Sequence, residues 1–138
     1  MAVIRRDPAK IAAHVAAGLA IAKAQAIAKI NEIVGVTRQK YITTSPGQDM
    51  IHIAKEREAL AFLRAPTQNM TSYPLLAAEI GVTAPTAWEL AQVWANVSVY
   101  WRGIAAQIEG IRMRAIAQVE AASDPQAVIA VLDTFRPN

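Results

Sequence analysis

The sequence predicts an all-α protein, and three observations carry that prediction. The chain of 138 residues is 54% apolar but only 6% aromatic. Much of the apolar content is alanine, a strong helix former whose small side chain lets helices pack closely. Two long tracts, 8–34 and 87–121, repeat their apolar residues with helical spacing. Finally, an aspartate or serine directly before a proline, a pair typical of helix starts, occurs three times.

The first predicted helix spans residues 8–34. Asp7 is its expected N-cap, Pro8 its first residue and Gly35 its end. Alanines every four residues form a ridge along one side, and a ridge of small side chains lets a second helix approach closely. We therefore predict an oligomer or partner interface on this helix, at Ala12, Ala16, Ala20 and Ala24.

The connector at 36–48 interrupts the helical period and is rich in β-branched residues, which permits a short extended segment. Ser45 followed by Pro46 predicts the start of a second helix, although Gly47 moves that start nearer Asp49. This helix is expected to end at Arg64. A nucleophilic serine requires a general base and an oxyanion hole, and the sequence offers neither, so helix capping is the favoured role of this stretch.

A loop is expected at 65–72, followed by a short helix with Ser72 as its cap and Gly81 at its end. Thr83 or Thr86 then begins the longest helix, predicted at 87–121. Thr86 and the glutamate three residues later have the spacing of a capping box.

The apolar residues of the 87–121 helix alternate in steps of three and four over about four heptads, which predicts coiled-coil-like packing. We assign this seam, too, to an oligomer or partner interface. Asp124 and Pro125 open a final helix that runs to about Phe135. The predicted division is 1–35, an attachment or oligomerisation helix, and 36–138, a helical domain. The predicted interface residues of the seam are Leu90, Trp94, Val97, Trp101, Ile104, Ile108 and Ile111.

The chemistry-bearing residues do not form a recognisable catalytic or metal-binding set. The chain has no cysteine, and its two histidines, His14 and His52, are far apart. Glu56 follows His52 at helical spacing, but one such pair is more typical of a solvated helix face than of a metal site. Trp94 and Trp101 lie on the seam, so core packing is favoured over a ligand cage. We predict no catalytic residues, no cofactor, no metal and no enzymatic activity.

Charge gives little support for nucleic acid or membrane partners. The formal net charge is +3 and the pI is about 9.5, but basic and acidic residues are interspersed rather than clustered. The apolar window near the N-terminus resembles a signal peptide or a membrane span. Asp7, Pro8 and His14 interrupt the signal-peptide pattern, and His14, Lys23, Gln25 and Lys29 fall inside the candidate membrane span, so neither is favoured.

Part of the chain resembles a known family. RQKYITTSPGQDMIHIAKEREALAFL, YPLLAAEIG and AWELAQVWANVSVYWRGIAAQIEGIRMRA occur in this order, and together they resemble small Ala-rich proteins or fibre segments from the tail modules of tailed bacteriophages. The resemblance covers a little over half of the chain. It implies a virion or tail location, with the host cytoplasm during assembly, other tail proteins as partners, and a homo-oligomer such as a trimer. The residues that carry it are Tyr41, Ile42, Thr43, Pro46, Gly47, Gln48, Tyr73, Pro74, Leu75, Leu76, Glu79, Trp101, Ile108 and Glu109.

Three functions therefore remain open. The first is a virion structural protein, associated with the tail fibre or baseplate and assembled through helix packing. The second is a fibre-assembly chaperone that is not retained in the virion. The third is a small basic helical regulator that binds nucleic acid, for which a steep salt dependence of binding is expected.

Overall fold

The computed structural model describes residues 6–42 and 45–137, and within them the protein is all-α, as predicted. These residues form five α-helices and no strand, with a short 3-10 turn at Met70–Ser72 before the third helix. The helices are α1 Pro8–Gln39, α2 Gln48–Arg64, α3 Pro74–Glu79, α4 Ala87–Ala121 and α5 Pro125–Thr134.

The chain divides into two compact units. Unit one contains the residues up to Lys40 together with those from Gln107 onward, and unit two is Tyr41–Ala106. Helix α4 contributes its first part to unit two and its last part to unit one. This grouping differs from the division at residue 35 that the sequence suggested, because α1 packs with the C-terminal part of the chain.

The caps predicted at three helix starts are present. The Asp7 carboxylate accepts a hydrogen bond from the Ala9 amide at 2.9 Å, and the Asp124 carboxylate accepts one from the Ala127 amide at 2.8 Å. Of the two threonines considered for α4, Thr86 is the cap, and its hydroxyl accepts from the amide three residues on at 3.2 Å. Each cap supplies a partner for a first-turn N–H that has none within the helix.

The prediction that Gly35 ends the first helix is wrong, because α1 continues to Gln39. A glycine inside a helix costs about 1 kcal/mol relative to alanine. The residues on both sides of it offset that cost: Val34 is fully buried, Thr37 is nearly so, and the Thr37 hydroxyl donates to the Ile33 carbonyl at 2.9 Å.

The connector is consequently shorter than predicted, at residues 40–47. Thr43 and Thr44 lie outside the described residues. The described remainder consists of turns and a bend, without the extended segment that the sequence permitted. Helix α2 begins at Gln48, and its N-cap is Gly47 in a left-handed conformation (φ 76°), with no side-chain cap. Ser45 therefore does not cap α2 as predicted.

Unit one is built on an antiparallel pair formed by α1 and the last part of α4. Lys23 Nζ donates to the Glu120 carbonyl at 2.6 Å, and Arg112, eight residues before Glu120, donates to Asn31 Oδ1 at 2.9 Å. The chain positions rise along α1 as they fall along α4, so the two helices are antiparallel. Helix α5 packs on α1. The buried apolar residues of the unit are Ala26, Ile30, Val34, Ile108, Ala115, Val119, Ala122, Val128 and Phe135.

Unit two packs α2 and α3 against the first part of α4. Leu76 and Leu90 are fully buried at its centre. Phe62 meets Tyr73 edge to face, with ring centroids 5.5 Å apart, a geometry that favours aromatic pairs. The core cluster comprises Ala59, Phe62, Leu76, Ala84, Leu90, Ala91 and Trp94.

The start of α3 is capped from another helix rather than by its own segment. Ser72, the predicted cap, lies in the 3-10 turn, and the N-cap position is Tyr73, without a side-chain bond. Instead, the Glu58 carboxylate of α2 accepts from the Leu75 amide at 3.1 Å and from the Leu76 amide at 2.9 Å. One carboxylate thus satisfies two first-turn amides of α3 and ties it to α2.

Candidate interaction surfaces

The first half of α1 extends past the rest of unit one. The bond from Lys23 to the Glu120 carbonyl lies one residue before the end of α4 at Ala121. Residues 8–21, which we call the overhang, are all exposed except Leu19, which is half-buried. At 1.5 Å per residue the overhang is about 21 Å long.

The overhang is markedly apolar for a solvent-facing helix. Ile11, Val15 and Ile21 are 45%, 60% and 58% exposed. The alanines predicted as an interface lie in the same region and are exposed as well: Ala12, Ala16, Ala20 and Ala24. An exposed apolar face of this kind is typical of an interaction surface.

By length and composition, α1 could cross a membrane. An 18-residue window within it has a mean hydropathy of 1.5, and only 6% of that window is buried. Helices of soluble protein cores and signal sequences meet the same criterion, so on its own the finding is weak evidence for a membrane.

The α4 seam is used largely inside the chain. Leu90, Trp94 and Ile108 are buried by their own units, which corrects their assignment to an interface with another chain. The physical reason is that α2 and α3 pack against the first part of α4 in unit two, and α1 pairs with its last part in unit one. Trp101, Ile104 and Ile111 are half-buried.

Val97 departs from the other seam residues because it is 58% exposed. Val93 at 42% and Tyr100 at 71% lie near it on α4, and Val97 lines an open groove of about 250 Å³ in unit two together with Val93 and His52. An interface at Val97 stays a prediction.

Lys55 stabilises one end of this groove. Its ammonium pairs with the Glu79 carboxylate and lies 4.9 Å from the centroid of the Trp94 ring. The hydrogen bond from Lys55 is the main reason that the pKa of Glu79 is lowered from 4.5. One side chain of α2 therefore contacts both α3 and α4, so its role is structural.

A second charged cluster joins α1 to α4 in unit one. Arg38 and Arg112 both donate to the Glu109 carboxylate, Arg112 through Nη2 at 2.7 Å. These partners, Arg112 foremost, lower the pKa of Glu109 to about 2, and the same contact raises the pKa of Arg112. The cluster links the two helices of the antiparallel pair, because its members come from both of them.

The residues that the sequence considered for metal or ligand chemistry have other partners. Glu56, the potential partner of His52, accepts from Arg102 Nη1 at 2.9 Å. Within the described ranges, no group of three His, Asp or Glu side chains is placed to hold a metal ion.

Sequence reasoning missed the contacts that join distant segments. Arg38 and Glu109 are 71 positions apart, and Glu58 lies 17 positions before the first amide that it caps. No local pattern distinguishes these side chains from solvated ones. The helical period does mark the apolar face of α1, but it does not show where along α1 the neighbouring helix α4 ends.

Comparisons of the chain with protein-family models, with curated proteins and with solved structures find no match.

Proposed function

We propose that the protein is a structural subunit that works by packing its helices against other subunits, as a fibre- or baseplate-associated component of a bacteriophage tail. The observation that carries the structural role is the overhang, an apolar helix segment left exposed by the rest of its unit. The setting in a phage tail rests on the resemblance described above.

The overhang supports a role in assembly because leaving apolar surface in water is unfavourable. Each Å² of apolar surface removed from water contributes roughly 25 cal/mol. Ile11 and Val15, both about half exposed, would contribute this energy only when another molecule covers them. The second half of α1 offers less such surface, since Ala26, Ile30 and Val34 are buried within the unit and Val36 is its one exposed large apolar residue.

The remaining surface supports the same interpretation. Six charged side chains join one helix to another, as a cap, as ion pairs or by a hydrogen bond: Glu58, Lys55, Glu79, Arg38, Glu109 and Arg112. Such contacts hold a scaffold together, and the described residues converge on no catalytic arrangement.

The experiment that tests the proposal is quantitative mass spectrometry of purified particles from the phage or prophage that encodes this chain. We expect the chain in a fixed ratio to a known tail protein, and the same ratio after a high-salt wash. Absence from particles, together with abundance in the producing cell, would contradict a role in the virion.

That contrary result would favour the second candidate, a fibre-assembly chaperone. The open groove in unit two favours it specifically, because Val93 and Val97 offer exposed apolar contacts there. Co-purification with fibre chains from cells, but not from particles, would identify this role.

The nucleic-acid regulator has the weakest support. Arg38, Arg102 and Arg112 are each paired with a carboxylate, which reduces the positive charge available for phosphates. A gel-shift assay at low salt tests it, and we expect no binding that weakens steeply with salt.

A further inference from the structure

We propose that the overhang pairs with the overhang of a second copy of this chain, antiparallel and about a twofold axis near Val15. This inference deepens the proposed function. It rests on that function in one respect: both require another molecule to cover the overhang. It names the partner and the geometry of the contact.

The argument starts from the continuity of one helix face. Ile11, Val15 and Leu19 follow one another at intervals of four residues, and Ala26 and Ile30 continue the same face two turns later. The downstream residues are buried, at 1% and 0% exposed, whereas Ile11 and Val15 are 45% and 60% exposed. The face that buries the second half of α1 therefore continues, uncovered, along the overhang.

The end of α4 determines which direction a partner helix can run. Helix α4 lies antiparallel to α1 and ends at Ala121, beside Lys23. An antiparallel copy of the overhang on the exposed face would begin where α4 ends and continue in the same direction. It would cover the residues of α1 that α4 does not reach.

A parallel partner does not fit the same face. Beyond Lys23 each copy carries its own α4 and α5 against α1. Two parallel copies would bring both of these helices into the space between the two α1 helices. Straight helices pack 8–10 Å apart, so there is no room for them. This steric conflict also applies to a parallel trimer, the state that the resemblance implies.

Charge favours the antiparallel arrangement as well. It brings the start of one α1, with its positive helix dipole and Arg6, to the end of the partner's α4, which has a negative dipole and the exposed Glu120. Two nearby charges could repel this contact: Asp7 has the same sign as Glu120, and Lys23 has the same sign as Arg6. Both already have partners, because Asp7 caps its own helix and Lys23 donates to the Glu120 carbonyl. The favourable contact occurs twice in a twofold dimer.

The register follows from the spacing of the face. With Val15 at the axis, Ile11 of one copy lies against Leu19 of the other, and Arg6 reaches the level of Lys23 and Glu120. The overlap is about 21 Å long, which corresponds to an interface at the small end of the known range. We therefore expect a dimer with a dissociation constant on the order of micromolar.

A lipid bilayer is the competing occupant of the overhang. The run without Asp, Glu, Lys or Arg, residues 11–22, has only 12 residues, and His14 is one of them, whereas a membrane-spanning helix needs about 20 apolar residues. Lys10 and Lys23 flank it on both sides. The overhang is thus too short to span a bilayer, and we make membrane binding an outcome of the test.

The first test is sedimentation equilibrium of the full chain from about 1 to about 100 μM, comparing Val15→Glu with the control Ala17→Glu. Both side chains are exposed, so neither change is expected to disturb folding, but Ala17 lies on the opposite face of the overhang. We expect Val15→Glu to weaken the dimer by about 30-fold or more, because a carboxylate would be buried unpaired. We expect Ala17→Glu to change it by less than about threefold.

Several outcomes would overturn the inference. They are a wild-type chain that stays monomeric over the whole range, a trimer, or equal effects of the two substitutions. Flotation with vesicles of phosphatidylcholine and phosphatidylglycerol, lost in Val15→Glu and without any dimer in solution, would assign the overhang to a membrane instead.

The second test determines the direction of the helices. The chain contains no cysteine, so single-cysteine variants give unambiguous disulfides. We expect Ile11→Cys mixed with Leu19→Cys to form a disulfide-linked heterodimer under mild oxidation, and Ile11→Cys alone to form little. The reverse result, efficient cross-linking of Ile11→Cys to itself, would show a parallel pair and overturn the inference.

A charge exchange between Arg6 and Glu120 tests the same direction without cross-linking. Arg6→Glu and Glu120→Arg are each expected to weaken the dimer by about threefold, and the double variant is expected to restore it. No restoration in the double variant would contradict the antiparallel contact.

The dimer and the proposed function can be refuted separately. A chain that is abundant in particles but monomeric in solution would overturn the twofold pairing and leave the structural role intact. A dimer with the expected geometry, formed by a chain that particles lack, would do the reverse.

Discussion

Glu58→Ala is the substitution whose cost the structure allows us to estimate most directly. The Glu58 carboxylate accepts from the Leu75 and Leu76 amides at 3.1 and 2.9 Å. Leu76 is fully buried, so water would have poor access to the amide if the carboxylate were removed. Loss of a helix cap costs about 1 kcal/mol, and a second charge-assisted bond adds about as much, so we expect about 2 kcal/mol in the free energy of unfolding.

Glu56→Ala is the matched control. It lies on the same helix two residues earlier, so the change in helix propensity is the same. Its partner, Arg102, has a side chain that is 57% exposed, and exposed ion pairs contribute about 0–1 kcal/mol. The difference between the two variants therefore isolates the capping of α3.

The assay is urea denaturation followed by tryptophan fluorescence. All three tryptophans, at 88, 94 and 101, lie within Tyr41–Ala106, the unit that contains α3. Fluorescence therefore reports on the unit that the substitution affects. A free-energy loss for Glu58→Ala no larger than that for Glu56→Ala would refute the argument that Glu58 caps α3.

Three further predictions follow from the packing, the backbone and the charges. Ile30→Ala is expected to destabilise unit one by about 2–5 kcal/mol in a circular-dichroism melt, because Ile30 is fully buried and its removal leaves a cavity; a loss below about 1 kcal/mol would contradict its place in the core. Gly47→Ala is expected to cost about 1 kcal/mol, because its φ of 76° is unfavourable for alanine; an unchanged melting temperature would argue against the left-handed cap. Lys55→Gln is expected to return the pKa of Glu79 toward 4.5, as followed by carboxyl NMR. Because the lowered pKa stabilises the fold above pH 4.5 and this stabilisation is lost as the pH falls through the lowered value, the variant should lose less stability in acid than the wild type.

Local signals in the sequence accounted for most of the helices. The bounds of α4 agree with the prediction at both ends, and the starts of α1 and α5 lie where an aspartate precedes a proline. These features depend on residues within one or two turns of each other. A cap bonds to its own first turn, and an apolar period reflects a single helix face.

Gly35 shows where such local reasoning fails. Glycine is a frequent helix end, yet α1 continues past Gly35 because Val34 and Thr37 are buried against other helices. The energy of that packing exceeds the cost of one glycine. The prediction that Ser72 caps α3 was wrong for a similar reason, since the capping carboxylate, Glu58, belongs to α2.

For the apolar surfaces of α1 and α4, too, the sequence determined one part and the tertiary structure another. The sequence alone determined that the protein is helical, that α1 and α4 each carry an apolar face, and where most helices begin, because these properties follow from neighbouring residues. Only the tertiary structure decided which apolar positions the chain covers itself, as at Leu90, Trp94 and Ile108, and which it leaves open, as at Ile11 and Val15. For α1 the exposed part depends on where α4 ends along it, a contact between residues 97 positions apart, and a periodic pattern carries no information about the length of its partner.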